Sequence, residues 1–209
     1  MCVPALKIPI DVKKLLICNV HLGKKTCENL MKIYIWKRRK DGLFIINISK
    51  TMKKIALAAR VISSIKNPSE ILAISTQTIG QRAVIKFSQF VGCQIMVGRW
   101  TPGRLTNQSC KKFLEPQLII LSDPSIDSQP LNESSYVNIP TIAFCNTQTS
   151  LKFVDVAIPG NTSDKHAVAI LWWLLAREIL RIKGAISKIE EWEIPVDLFI
   201  ARNQDQEEE

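Results

Sequence analysis

Leu118-Ile119-Ile120-Leu121-Ser122-Asp123-Pro124 is the stretch that decides the fold of this 209-residue chain. Four large apolar residues in a row leave no polar face, and a strand of that kind belongs in a parallel sheet covered on both sides. Thr141-Ile142-Ala143-Phe144, running into Cys145-Asn146-Thr147, has the same uniform character. Toward the N-terminus, Ile71 to Ser75 reads as a strand and Thr76-Gln77-Thr78 as a turn. A helix follows from Ile79 to Val91 with Ile79, Ala83, Phe87 and Phe90 inward, and then a short strand from Ile95 to Val97. Earlier still, Leu43-Phe44-Ile45-Ile46-Asn47-Ile48 lies between Asp41-Gly42 and the N-cap candidate Ser49, and reads as a buried strand. Met52, Ile55, Ala56, Ala59 and Ile62 continue at helical spacing until Asn67-Pro68, because the residue before proline is pushed out of the helical region. The last long element starts near Thr162-Ser163-Asp164 and runs through Ala167 to Ile182. Its apolar character nearly all round predicts a helix buried by several neighbours, with Arg177 and Arg181 on one side of it. Alternating strands and helices predict a doubly wound α/β domain of the Rossmann or flavodoxin type, with right-handed crossovers. The expected organisation is one domain over residues 1–198, its basic N-terminal segment at 1–40, and a polar acidic tail over 199–209.

Charge divides the chain in two. The first 112 residues hold 21 Lys and Arg against Asp11, Glu28, Asp41 and Glu70, and the remaining 97 hold seven basic and 15 acidic residues, so a +17 half is joined to a −8 half. A one-signed field concentrates partners of the opposite sign, and each Lys or Arg that meets a phosphate releases a condensed counterion. Nucleic acid is therefore the expected partner. Six scattered cysteines with no Cys-x-x-Cys pattern read as free thiols in a reducing, cytoplasmic setting. The N-terminal residues show no secretory signal. The apolar run Ala167 to Ala176 is half of the roughly 20 residues a bilayer span needs, so no membrane segment is expected.

Signatures of chemistry are sparse. A doubly wound sheet places its site beyond the carboxyl ends of the strands, here Ser75-Thr76-Gln77, Asp123-Pro124 and Asn146-Thr147. After Ile48 comes Ser49-Lys50-Thr51-Met52, with no glycine to let a pyrophosphate approach. Gly23-Lys24-Lys25-Thr26 lacks the earlier glycine of a phosphate loop and follows no predicted strand. Asp123 and Asp127 have the residue types of an acid/base pair, but Asp-Pro at the end of a strand favours turn capping. His21 and His166 stand at no metal-ligand spacing and read as structural. The expectation is no enzyme, no metal and no cofactor, with an α/β enzyme of small-molecule metabolism as the rival reading.

The basic residues come in groups. Lys37-Arg38-Arg39-Lys40 follows Tyr34 and Trp36, whose rings can stack on bases or hold a guanidinium. Arg82 and Lys86 share a helix face. Arg99 and Arg104 flank a Thr-Pro-Gly turn where backbone can approach a phosphate, and Lys111-Lys112 adds a further pair. These ten residues are the candidate RNA contacts, read from charge and grouping, through shape and backbone contact and not through base readout.

Several segments resemble, in order, motifs of the eukaryotic small-subunit ribosomal protein SA (laminin-receptor precursor) family. They are His21-Leu22-Gly23, Tyr34-Ile35-Trp36-Lys37-Arg38, Asp41-Gly42-Leu43-Phe44-Ile45-Ile46-Asn47, Gly80-Gln81-Arg82-Ala83-Val84 and Gly98-Arg99-Trp100-Thr101-Pro102-Gly103. The match continues through Glu115-Pro116, Asp123-Pro124, Ser135-Tyr136-Val137-Asn138-Ile139-Pro140-Thr141, Cys145-Asn146-Thr147, Val154-Asp155-Val156-Ala157-Ile158-Pro159 and Leu171-Trp172-Trp173-Leu174-Leu175-Ala176-Arg177-Glu178. The resemblance implies a three-layer α/β sandwich with a central, mainly parallel sheet. It implies a non-catalytic ribosomal constituent at the head–body junction of the small subunit, contacting ribosomal RNA and neighbouring ribosomal proteins in the cytoplasm, with a role in assembly and translation. The family also has precedent for cell-surface laminin binding, an alternative for which the chain offers no signal or anchor. Three departures stand out: Lys24 where relatives commonly carry a second glycine, an acidic tail reduced to Gln204 to Glu209, and no coiled-coil insertion of the bacterial kind.

Overall fold

The structure is a computed structural model and describes residues 10–187 and 192–202. The first nine residues of the basic segment and the acidic tail from Gln204 onward lie outside the described residues. The elements in order are α1 (Ile10–Ile17), β1 (Ile35–Arg38), β2 (Phe44–Ile46), α2 (Ile48–Ser64), β3 (Ile71–Ser75), α3 (Thr78–Val91) and β4 (Gln94–Val97). They continue with β5 (Leu118–Leu121), α4 (Ser128–Val137), β6 (Thr141–Cys145), β7 (Val156–Pro159) and α5 (Lys165–Ile182).

Five strands form a wholly parallel sheet in the order β4-β3-β5-β6-β7. Counted along the chain this is the 2-1-3-4-5 winding of flavodoxin-like domains, with its switch point between β3 and β5. The uniform apolar runs have the predicted cause, since Leu118, Ile119, Ile120 and Leu121 are all at most 1% exposed. Alternate residues enter different cores: Ile71, Ala73, Leu118 and Ile120 pack with α2, α3 and α5, whereas Leu72, Ile74, Ile119 and Leu121 face Trp100, Leu105, Leu131 and Met31. The second face is thus covered by α4 together with the long loop after β4.

Helix α5 is buried almost all round because the sheet lies under it, α2 and α3 flank it, and α1 and the C-terminal segment cover its remaining side. Trp172 at its centre meets Phe87 and Phe144 edge-to-face, at 4.9 and 5.0 Å between ring centroids. Burying a side chain of this size contributes about 1.5–3 kcal/mol. Residues Trp192–Ile200 form an ordered strap: Trp192 stacks on Trp173 at 5.5 Å, and Phe199 is fully buried beside Phe90. Phe199 belongs to the main core.

The stretch Leu43 to Ile48 does not enter the main sheet. Phe44–Ile46 pairs antiparallel with Ile35–Arg38 as a separate hairpin, closed by Arg39 N–H donating to the Leu43 carbonyl at 2.7 Å and by Gly42 at φ +85°. Positive φ is a backbone state that glycine adopts without penalty, so the tight turn claims this strand for its immediate neighbour. Helix α2 then starts at Ile48. Its cap is Asn47, whose side chain accepts from Ser49 N–H at 3.0 Å, and not Ser49 itself. Its buried face is Thr51, Ile55, Ala58, Ala59 and Ile62, leaving Ala56 exposed. In α3 the fully buried positions are Gly80, Ala83, Val84, Phe87 and Val91, with Ile79 and Phe90 half-buried at the flanks.

Candidate nucleic-acid interface

The crevice at the carboxyl ends of β3 and β5 is closed by the chain itself. A Cβ added to Gly80, at the start of α3, would stand 2.4 Å from Ser75 Oγ and 2.6 Å from Ser122 Oγ, so the helix is seated directly on the strand ends. Asp127 Oδ1 accepts the Thr76 N–H at 3.0 Å, joining the end of β3 to the start of α4. Asp123 accepts from Ser125 N–H at 2.9 Å within its own turn and from Thr162 Oγ at 2.6 Å. Asp123 thus caps its own turn, as Asp-Pro suggested, and the two carboxylates together tie the loops after β3, β5 and β7 to one another. Burial pushes the Asp127 carboxyl up to about 7, against the opposing effect of the Thr76 and Asp123 N–H groups.

The first basic group, Lys37 to Lys40, occupies the hairpin. That hairpin is fastened at the same end of the sheet by the segment around Gly23: Gly23 N–H donates to Phe44 O at 2.8 Å and Ile46 N–H to His21 O at 2.8 Å. Lys24 N–H donates to Thr147 Oγ at 2.9 Å, beyond the end of β6. A Cβ on Gly23 would lie 2.3 Å from Thr147 Cγ2, which is why glycine is needed there, and the Gly23-Lys24-Lys25-Thr26 run is a backbone junction and not a phosphate cradle. Arg38 lies over the Phe44 ring at 5.1 Å and donates to Gly42 O at 3.1 Å. Arg39 pairs with Asp41 at 3.1 Å, but both side chains are more than half exposed, so the pair is weak. Lys37 and Lys40 are exposed and make no ion pair among the described residues, next to Trp36 at 69% exposure.

The loop between β4 and β5 carries Arg99, Arg104, Lys111 and Lys112, and it separates them. Arg99, Lys111 and Lys112 are exposed. Arg104 is 7% exposed, with its guanidinium against Met96 Sδ and over the Trp100 ring at 5.8 Å. It packs the loop onto the sheet and leaves the set of surface cations. Glu133 of α4 is 3% exposed and accepts three hydrogen bonds on Oε1: from Trp100 Nε1 at 3.1 Å, Gly103 N–H at 3.1 Å and Gln129 Nε2 at 3.0 Å.

Arg82 and Lys86 share a face of α3 as expected, but that helix lies in the layer with α2 and α5. Arg82 Nε donates to the Leu198 carbonyl at 3.1 Å, anchoring the C-terminal strap, and Lys86 Nζ reaches Gln89 at 3.0 Å. The ten candidates are therefore three groups, on the hairpin, on the β4–β5 loop and on α3, and the first two flank the closed crevice. Local sequence gave no sign of Glu133. Its two loop partners, Gly103 and Trp100, are 30 and 33 residues away, and no short spacing records such contacts.

His21 is half-buried and burial lowers its imidazole pKa, while His166 donates its backbone N–H to the Asp164 cap at 3.3 Å. The five described cysteines are free thiols, and burial pushes the Cys93 thiol up to about 12. Among the described residues no group of three or more His, Cys, Asp or Glu side chains could hold a metal ion, and no helix is long and apolar enough to cross a membrane.

The model of the family "Ribosomal protein S2" matches this chain over residues 15–115 and 109–181. The chain is 49% identical over 199 residues to "Small ribosomal subunit protein uS2" of Chlamydomonas reinhardtii, covering 95% of this chain and 71% of that one. It is 47% identical over 198 residues to the protein of the same name from Trichoplax adhaerens, covering 95% and 69%. With that of Aspergillus fumigatus it shares 49% identity over 201 residues, covering 96% and 68%.

Proposed function

The chain belongs to the ribosomal protein S2 family, and from that premise we propose that it is a structural constituent of the small subunit of cytoplasmic ribosomes. It grips ribosomal RNA through phosphate contacts and meets neighbouring ribosomal proteins through its more acidic half, at the head–body junction, and it takes part in subunit assembly and translation. Its ordered motifs favour membership of the eukaryotic SA branch. The observation that carries the RNA reading is the pair of cationic projections, Lys37, Arg39 and Lys40 on the hairpin and Arg99, Lys111 and Lys112 on the β4–β5 loop. The hairpin is fastened beyond the end of β6 and Arg99 follows directly on the end of β4, the edge at which doubly wound enzymes hold a ligand. Here that crevice is filled by Asp123, Asp127 and the two serines under Gly80.

The test is retention on purified small subunits washed at rising ionic strength. Replacing the six projecting cations with Gln removes up to six counterion-releasing contacts, each worth about 0.7–0.9 in the slope of log affinity against log salt. The variant is expected to leave the particle at lower salt than the parent. Retention equal to the parent's across the salt series would refute the reading.

A further inference from the structure

We infer that Glu133 is a positioning residue for the RNA-contacting loop, fixing the backbone on which Arg99 is presented. This rests on the reading of Arg99 as a phosphate contact and adds the device that makes the contact effective. The loop leaves β4 at Gly98, φ +84°, and turns again at Gly103, φ +83°. Two glycines in the left-handed region make the segment between them costly to order, because glycine gives up more backbone freedom than any other residue. Arg99 sits directly after the first glycine with its side chain exposed, and no hydrogen bond or ion pair holds that side chain among the described residues.

One carboxylate oxygen supplies what the loop lacks. Glu133 Oε1 takes the indole N–H of Trp100, the residue next to Arg99, and the backbone N–H of Gly103, the second flexible point. Gln129, one turn earlier on α4, holds the same oxygen from the helix side. Three donors converge on this one oxygen at 3.0–3.1 Å and tie the indole, the loop backbone and α4 to a single point. A buried carboxylate is no gain for stability over a well-packed apolar residue, since desolvation offsets its attractions. The arrangement instead fixes geometry: the loop is ordered on folding, and RNA association does not bear that ordering entropy.

The experiment is a double-mutant cycle on the full chain, with full-length small-subunit ribosomal RNA as probe and affinity measured at several salt concentrations. Arg99→Ala is expected to weaken binding and lower the salt slope by about 0.7–0.9. Glu133→Ala, checked as folded by circular dichroism, is expected to weaken binding about tenfold, the effect of releasing one or two ordered groups. The double variant should be no weaker than the weaker single. Glu133→Gln keeps an oxygen acceptor in place and should restore binding to within about threefold of the parent, since amide oxygens accept the same donors. Wild-type affinity for Glu133→Ala beside a weakened Arg99→Ala overturns the inference, as do losses that multiply in the double variant or failure of Glu133→Gln to rescue. Wild-type affinity for Arg99→Ala sinks instead the reading of Arg99 as a contact. Should Glu133→Ala fail to fold, Trp100→Phe, which deletes only the indole N–H donor, enters the same cycle under the same criteria.

Discussion

Removing the carboxylate of Asp11 should loosen the joint between the two oppositely charged halves of the chain. Arg177, on α5, has a side chain only 5% exposed, and Asp11, on α1, grips its guanidinium with two bonds of 2.7 and 2.9 Å. The cation also lies over Trp173 at 4.9 Å and donates to Glu178 at 3.1 Å. Stripping a buried charge of its partner costs about 3–5 kcal/mol. Here Glu178 remains, and Asp11 is itself 27% exposed, which places Asp11→Ala at the low end, about 2–3 kcal/mol. For a chain near 200 residues that corresponds to a melting point about 4–12 °C lower. The assay is urea unfolding of four proteins, the parent, Asp11→Ala, Arg177→Met and the double variant. In the Arg177→Met background, where no buried cation is left stranded, Asp11→Ala should cost under about 0.5 kcal/mol. The hydrogen bonds from Arg177 hold the Asp11 carboxyl below its ordinary range. A depressed acid contributes stability above its unfolded pKa and loses it as pH falls through the folded value, so the gap between parent and Asp11→Ala should close below about pH 4. A cost under about 0.5 kcal/mol at pH 7, or an equal cost in both backgrounds, would refute the reasoning.

The buried Asp127, raised to about 7, has the opposite sign: between about pH 4 and 7 the native state keeps a proton that the unfolded chain releases, so its contribution falls as pH rises. Asp127→Asn should therefore gain on the parent between pH 5 and pH 8 in denaturation midpoints, and a pH-independent difference would contradict the assignment. Gly80→Ala drives a methyl to 2.4 Å from Ser75 Oγ and 2.6 Å from Ser122 Oγ, serines that bond Gln77 O and Trp172 Nε1, so calorimetry should show a loss of about 1–3 kcal/mol; unchanged stability would mean that α3 is not seated as described. Arg82→Ala releases the Leu198 carbonyl and should speed amide exchange across the strap at 194–200 while leaving β5 and β6 protected, whereas Lys86→Ala should leave exchange at the strap unchanged.

The sequence by itself determined the class of fold. Uninterrupted apolar runs at Leu118 to Leu121 and Thr141 to Phe144 allow only strands buried on both faces, and the nearly all-apolar Ala167 to Ile182 allows only an enclosed helix. These are local records of burial, written residue by residue. The lack of glycine after Ile48 and the +17 half were equally readable, because composition needs no partner. The polar α4, with Pro130, Leu131, Glu133 and Ser134 as its buried residues, and the four-residue β7 carried too weak a period to be read from residue pattern.

Only the tertiary structure decided which strands pair and which cations face solvent. A ladder of backbone hydrogen bonds is nearly indifferent to side chains, so Phe44–Ile46 could have joined the main sheet; the Gly42 turn gave it Ile35–Arg38 instead. Arg99 and Arg104 belong to one short motif, yet one is exposed and the other is packed against Met96 and Trp100. Arg82 holds Leu198 across 116 residues and Asp11 holds Arg177 across 166. Contacts at such separations come from where the whole chain folds back on itself, and no window of neighbouring residues contains that information.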